Sequence, residues 1–381
     1  MPEPANVSAA ATHADPYPFY ARLVREKPFA WDDAAGAWVA SSAAAVEAVL
    51  TSPLCRVRPV AEPVPGALDG TAAGDVFARL ARMSDGARHL PRRAGAMVAI
   101  ATLDPSRAES LAAQWTRALW TEHGGWRADA GFHLPVCVIA TLLGAPESRL
   151  REVAAWTTAF VRCAAPGADA AAVARGADAA AKLMEVFGED EIAGAPPMRA
   201  LASALTDAGE PDARTAAANA IGLLFQSHDA TAGLLGNAIV ALGEHPQVER
   251  EVRASPALLP ELIREVLRYD PPVQNTRRWV GEDGVIDGQP VRAGDPILVL
   301  LAAANRDPAV GPAADRFQLR RSGCRGFSLG HGIHACPGGA LAETIAAAAL
   351  RTMLEMNADF SALAARRTYL PSANGRIPLF A

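Results

Sequence analysis

Two histidines and a cysteine share one glycine-rich stretch, Phe327-Ser-Leu-Gly-His-Gly-Ile-His-Ala-Cys-Pro-Gly-Gly339, and an Ala/Leu-rich helical run follows from Ala340. Proline suits the first turn of a helix, so Cys336 sits at or just before a helix N-terminus. Backbone N–H groups and the positive end of the helix dipole favour a thiolate there. The glycines let the loop pass close beneath a flat or bulky group. The stretch reads as a pedestal for an anionic sulfur. Three other readings stand beside this one. Cys336 could be an inert buried residue. Cys324, His331, His334 and Cys336 could hold zinc, although their spacing matches none of the usual paired-ligand patterns. Gly330-His-Gly-Ile-His-Ala335 has the form G-x-G-x-x-A of a dinucleotide loop, without a clear preceding strand or a following acidic residue.

Other residues with chemical potential lie upstream. His89 and Arg93 are four apart on one helical face and could hold an anion together. Gln226, Ser227, His228, Asp229 and Thr231 interrupt an otherwise apolar Ile221–Ala241. Such a polar cluster must be hydrogen-bonded internally or face a wet pocket. Glu265 and Arg268 are spaced as a helical ion pair.

The elements that must position them are mostly helices. Phe19–Glu26 and Ala43–Leu50 read as helices, with a hairpin at Trp31–Val39 between them. Cys55–Gly74 is rich in Pro and Gly and reads as loop. Helices are expected at Ala87–Leu103, Pro105–His123 and Asp129–Leu143, the last closed by Gly144-Ala-Pro146. Arg149–Val186 holds two more, separated near Pro166-Gly167. Gly188–Pro197 reads as a short connection. Asp212 is a candidate N-cap for a helix running to about Gly243, ~45 Å long at helical rise. Glu261–Tyr269 and Ala340–Met356 are further helices. Val273–Val299 alternates in short strands, and Thr368–Phe380 is hairpin-like.

Length and composition set outer limits. The chain has 381 residues, half of them hydrophobic, with alanine favouring helix. A formal net charge of −5 argues against a general nucleic-acid partner. Five scattered cysteines suit a reducing cytoplasm better than a disulfide framework. No leader pattern and no membrane-length apolar run is evident, so the expectation is a cytoplasmic protein with no membrane partner.

On these residues the chain resembles the cytochrome P450 family. The family's haem loop reads F-G-x-G-x-H-x-C-x-G, and Leu329-Gly-His-Gly-Ile-His-Ala-Cys-Pro-Gly338 fits at every defining position but the first. His89-Leu-Pro-Arg-Arg93 resembles the family's H-x-x-x-R, and Glu265–Arg268 its E-x-x-R, with Arg316 in the place of the completing arginine. Leu134–Pro146 and Ala304-Asn-Arg-Asp-Pro308 also resemble it. The resemblance implies a mainly α fold with small peripheral β-sheets, one domain over residues 1–381 with 1–14 as a flexible N-terminus. It implies haem b clamped between the central helix and the cysteine loop, with Cys336 as axial ligand. Gly330, Gly338 and Leu329 would line the sulfur, and His89, Arg93, Arg278 and His334 would neutralise the propionates. Phe225, Val273, Gln274 and Asn275 would line the substrate space for a small molecule. Electrons would come from a ferredoxin-type partner, with Arg88, Arg92, Arg321 and Arg325 as candidate docking charges.

The sequence departs from the family at the central helix. Asp229 stands at the acid position of the acid–alcohol pair, but Ala230 stands at the alcohol position. Thr231 lies about 100° further round the helix and does not simply replace it. Gln226, one turn before Ala230, brings a long amide where relatives carry a small residue, and His228 reads as structural. An oxidase or monooxygenase of bacterial natural-product biosynthesis is expected. The missing alcohol leaves room for cyclisation, coupling or rearrangement of a pre-oxidised substrate. A recruitment module without haem is the remaining reading.

Overall fold

The hydrophobic pattern resolves, in a computed structural model, into helices with three small sheets; the structure describes residues 3–323 and 325–381. The N-terminal part carries α1 (Val7–Ala10), α2 (Tyr17–Glu26), strands β1 (Phe29–Asp32) and β2 (Ala37–Ala40), α3 (Ala43–Thr51) and β3 (Cys55–Arg56). Helices α4 (Ala72–Arg79), α5 (His89–Ala101), α6 (Pro105–His123), α7 (Ala128–Leu142), α8 (Leu150–Cys163) and α9 (Ala170–Gly188) follow. After α10 (Asp190–Ala193) and α11 (Pro196–Asp207) comes the long α12 (Ala213–Glu244). Then come α13 (Pro246–Ala254), α14 (Leu259–Tyr269), β4 (Thr276–Val280), β5 (Gly284–Ile286), β6 (Gln289–Val291) and β7 (Pro296–Val299). The chain closes with α15 (Leu301–Ala304), α16 (Gly339–Glu355), α17 (Phe360–Ala365), β8 (Arg367–Tyr369) and β9 (Pro378–Phe380).

Two compact units contain these elements. The first comprises residues 1–60, 233–336 and 350–381. Its main sheet has the order β1-β2-β7-β4-β3, antiparallel except where β2 runs parallel to β7, with Val39 opposite Leu298. Val46, Val49, Ile297, Val299 and Phe327 fill the core beneath it. A buried ionic cluster ties distant segments together. Arg376 donates to Asp270 at 2.9 Å and to the Ala14 carbonyl at 3.0 Å, and the Tyr17 hydroxyl also donates to Asp270. The Arg306 guanidinium lies 3.1 Å from the Tyr17 ring centroid and 3.4 Å from that of Tyr269. Val7 and Ala10 of α1 join the core cluster of Phe19, Tyr20 and Leu300. The expected flexible residues 1–14 therefore include a packed helix, because two small apolar side chains find buried partners.

The second unit comprises residues 61–232 and 337–349. Asp104 caps α6 through the Ser106 N–H, Pro105 fills its first position, and Gly124 closes it in the left-handed region at φ 64°. Helix α11, within and beyond the expected connection, packs on α5; a Cβ on Gly95 would lie 2.8 Å from Leu201. Asp212 accepts from the Arg214 N–H at 3.0 Å and so opens α12, as its residue type predicts. Asn219, two turns on from Asp212, accepts from the Ala81 N–H and donates to the Arg79 carbonyl, each at 2.9 Å. Arg92 is buried, bonded to Glu210 at 2.6 Å and to Ser84 and the Ala78 carbonyl at 2.9 Å. These contacts fix the start of α5, where His89 sits. They also remove Arg92 from the surface, so it is not a docking charge.

Two histidines make the stability depend on pH. Burial depresses the pKa of His133 on α7, and of His245, which stacks on Phe317 at 4.7 Å, below the ordinary 6.5. Below that value the unfolded chain binds protons that the folded chain refuses, so stability is full above it and falls as pH drops. Chemical denaturation at pH 7.5 and 5.5 should show this loss, and His245→Phe should shrink it. An equal loss in the variant would show that His245 is not a source.

Candidate functional site

The cysteine loop belongs to the first unit and is held by a chain of buried polar contacts. Arg268 on α14 donates from Nε and Nη2 to Glu265, both at 2.8 Å. Its Nη1 reaches the carbonyls of Asn305 at 3.2 Å and Ala314 at 2.5 Å. Asn305, also buried, accepts from the Phe327 N–H at 2.6 Å and donates to Ser328 Oγ at 2.7 Å. Buried charges need such partners, and here the partners define where the loop begins. The completing guanidinium is that of Arg321, whose Nε is 3.2 Å from Glu265 and whose side chain is buried. Arg316 is exposed and offers only its carbonyl, to Arg268 at 2.8 Å and to Arg321 at 2.6 Å. The expectation for Arg316 is thus corrected to Arg321, which for the same reason is no docking charge. Arg88 and Arg325 are exposed.

Beyond Phe327 the loop turns tightly. Gly330 and Gly332 both lie in the left-handed region, at φ 72° and 69°. The Gly330 N–H donates to the Phe327 carbonyl at 2.8 Å, and the Cys336 N–H to the Leu329 carbonyl at 2.7 Å. Glu47 on α3 pairs with Arg325 and lies 3.4 Å from His331; the Arg325 hydrogen bond lowers its pKa. A Cβ on Gly332 would come within 2.9 Å of the Leu50 carbonyl, also on α3. Gly332→Ala should therefore cost roughly 1–2 kcal/mol from the backbone conformation alone, plus displacement of the loop. Gly338→Ala, which meets nothing within 4 Å, serves as the control. Equal melting temperatures for the two variants would contradict this packing.

Cys336 is exposed and precedes the 17-residue α16. Cys137 and Cys163 are buried, and burial pushes their thiols up to about 12 and about 11. Cys55 is half-buried on β3, whereas Cys336 joins exposure to a place just ahead of a helix, so the donor set fits a thiolate-bound haem at Cys336. Leu329, in the phenylalanine's place, and Ile333 are both exposed. Arg278 on β4 is buried and donates to the Arg277 carbonyl at 2.9 Å, while His334 is half-buried. Among the described residues no group of three or more metal-binding side chains assembles, and Cys324 lies outside them. No strand precedes the loop after β7 among the described residues, so the dinucleotide reading lacks its strand.

Gln274 and Asn275 do not line open space. Both are fully buried and donate to the carbonyls of Pro271 at 2.8 Å and Ala373 at 2.9 Å. Their amides satisfy irregular backbone beside β4, which the expectation of a substrate lining did not foresee. Val273 and, in the second unit, Phe225 are half-buried; Phe225 packs on Phe160 at 5.0 Å.

The second unit carries the remaining candidates. His89 is buried at the start of α5 and Arg93 is half-buried one turn on. On α12, Gln226 is exposed, but its amide donates back to the Gly222 carbonyl at 3.0 Å. Thr231 is buried, whereas Ala230 is half-buried. The Asp229 side chain is 36% exposed and its Oδ1 lies 2.7 Å from Nδ1 of the fully buried His228. His228 in turn contacts Thr158 on α8 at 2.8 Å and stacks on Phe132. The acid therefore leans on a buried imidazole, a partner that lies 70 residues from Thr158 and that no local pattern announces.

Comparisons with known proteins give a consistent answer. The family model described as Cytochrome P450 matches residues 195–358. The cytochrome P450 monooxygenase PikC of Streptomyces venezuelae is 32% identical over 371 residues, 91% of this chain and 85% of that protein. The biotin biosynthesis cytochrome P450 of Bacillus subtilis is 32% identical over 232 residues, 60% of this chain and 59% of that relative. A crystal structure of P450BioI in complex with an acyl carrier protein ligated to hexadec-9Z-enoic acid superposes with a TM-score of 0.81. It is 26% identical, over 95% of this chain and 96% of that one. Among the described residues no helix is long and apolar enough to cross a membrane.

Proposed function

Because this chain belongs to the cytochrome P450 family, we propose that it is a haem b oxidoreductase that oxidises a small organic molecule in bacterial natural-product biosynthesis. One observation carries the reading: an exposed Cys336 at the end of a loop locked by Glu265, Arg268 and Asn305. A recruitment module would be free to lose each of these. The names of two relatives, a monooxygenase of Streptomyces and a P450 of biotin biosynthesis, support the biosynthetic setting.

Cys336 would hold the haem iron through its sulfur, and its place ahead of α16 favours the thiolate. Arg278, His334, His89 and Arg93 would neutralise the propionates, whose burial needs cationic partners. When bound, the haem supplies dioxygen activation, which thiolate ligation favours. Gly330 and Gly338 keep the backbone near the sulfur free of side chains. Asp229 places a carboxyl group on α12, and Ala230 offers no hydroxyl beside it. Thr231 is turned into the core and cannot replace it. Phe225 contributes to the substrate lining. A separate ferredoxin-type protein brings electrons, with the exposed Arg88 and Arg325 among its docking charges.

The gap at Ala230 favours a second reading, in which the reaction is cyclisation, coupling or rearrangement of a pre-oxidised substrate. General acid–base help is worth ~10²–10⁴ in rate, so a hydroxylase that relied on the alcohol would suffer without it. Ala230→Thr should not improve turnover of the substrate found by Soret-shift screening, and Gln226→Ala should disturb it more than Thr231→Ala. Product and peroxide are measured together for all three variants. A large gain in Ala230→Thr with less peroxide would identify an ordinary hydroxylase instead.

A further inference from the structure

The ring of His228 is fully buried and stacks on Phe132, centroids 4.8 Å apart and planes within 14°. Its two nitrogens contact Asp229 Oδ1 at 2.7 Å and Thr158 Oγ1 at 2.8 Å. Thr158 Oγ1 also lies 3.0 Å from the Ala154 carbonyl, one helical turn back. A carbonyl only accepts, and with the threonine proton directed there Oγ1 accepts from an Nε2–H, the arrangement on which the proposal rests. A carboxylate oxygen 2.7 Å from Nδ1 requires a proton in that contact as well. With both contacts filled, the pair holds one proton more than a neutral imidazole facing a carboxylate.

Charged and titratable groups near the ring include Asp229 on its own helix, His133 on α7 and, across Phe132, Arg162 on α8. The Arg162 guanidinium lies 5.4 Å from the Phe132 centroid. Burial holds His133 neutral at pH 7, so it brings no competing charge. Phe132 fixes the ring plane, and the two hydrogen bonds fix its rotation.

We propose that His228 is a proton store for Asp229, with Thr158 as the positioning residue that keeps the transferable proton on Nδ1. On discharge the Nδ1–H bond breaks and an Oδ1–H bond forms, leaving a neutral imidazole protonated at Nε2 and a neutral carboxylic acid. Asp229, the partly exposed member of the pair, gives this proton to a water, hydroxyl or amine at the site of reaction. The carboxylate so formed takes a proton from solvent and returns it to Nδ1. One proton enters and one leaves, and no electrons move. The store supplies an acid on a helix that lacks the hydroxyl at Ala230. The proposal rests on the haem reading only for the consumer of the proton.

The test uses haem-loaded protein with ¹⁵N-labelled histidine, in the ferrous carbon-monoxide form at pH 7.5. Both ring nitrogens of His228 are expected to be protonated in the wild type, and only Nδ1 in Thr158→Val, with Thr158→Ser restoring the first pattern. A bare Nε2 in the wild type would mean that Thr158 donates to the ring, and would overturn the proposal. The second measurement is peroxide released when the dithionite-reduced, haem-loaded protein meets air. Thr158→Val is expected to lower it at least threefold and to change its solvent deuterium isotope effect, again with rescue by Thr158→Ser. Unchanged release and isotope effect alongside a shifted proton pattern would leave His228 structural and the store disproved. Failure of the underlying haem reading is distinguishable, because it removes the thiolate Soret band without altering the proton count on His228.

Discussion

Arg321→Leu is expected to destabilise the protein by ~3–5 kcal/mol, the usual cost of removing one partner from a buried ion pair. Glu265 is buried with a side-chain exposure of 3%. It is compensated by Arg268, by the Arg321 Nε and by the Gln318 N–H at 2.8 Å. Arg321 also donates to the carbonyls of Pro312 at 2.8 Å, Ala313 at 2.9 Å and Arg316 at 2.6 Å. Leucine would leave part of a buried carboxylate and three carbonyls without these donors. The same segment contains Ala313 at φ 48°, a conformation that alanine resists, so its shape depends on these bonds. Arg316→Leu removes only an exposed side chain and should stay within about 0.5 kcal/mol. Urea unfolding of both variants decides the matter. Equal losses, or a larger loss in Arg316→Leu, would return the completing role to Arg316.

Why the sequence points to Arg316 and the structure to Arg321 has a physical answer. Residues 311–323 adopt no regular period, with positive φ at Ala313, Arg320 and Gly323. Spacing there carries no information about which guanidinium turns inward. Helices behave otherwise. Asp212 and His245-Pro246 bracket α12 because capping and the missing proline N–H act locally. Asp104-Pro105 and Gly124 do the same for α6. Helices α11 and α13 also begin on prolines at their first positions, a signal present but outweighed by the composition of their surroundings. The family resemblance alone places Gln274 and Asn275 in the substrate lining. Their amide N–H groups instead meet the carbonyls of Pro271 and Ala373, and the second lies 98 residues away from Asn275. The cysteine loop was legible because glycine, histidine and cysteine act there through backbone geometry and ligand chemistry at fixed offsets. The His228–Thr158 contact was not, since it exists only once α8 and α12 pack.

Cys336→Ala is expected to abolish thiolate ligation outright, the largest single effect of any substitution considered. Cys336 is exposed, whereas Cys137 and Cys163 are buried, with thiols held protonated by their surroundings. Neither can take over as an external ligand without unfolding its neighbourhood. The Glu265–Arg268–Asn305 contacts do not involve the sulfur, so the variant should fold and the spectral change can be read without loss of structure. The deciding measurement is the absorption spectrum of the haem-reconstituted, dithionite-reduced protein under carbon monoxide. The wild type should show the strongly red-shifted Soret band of a thiolate ligand, and Cys336→Ala should lose it. A wild-type spectrum without that band, unchanged in Cys336→Ala, would contradict the assignment of Cys336 and the function built on it.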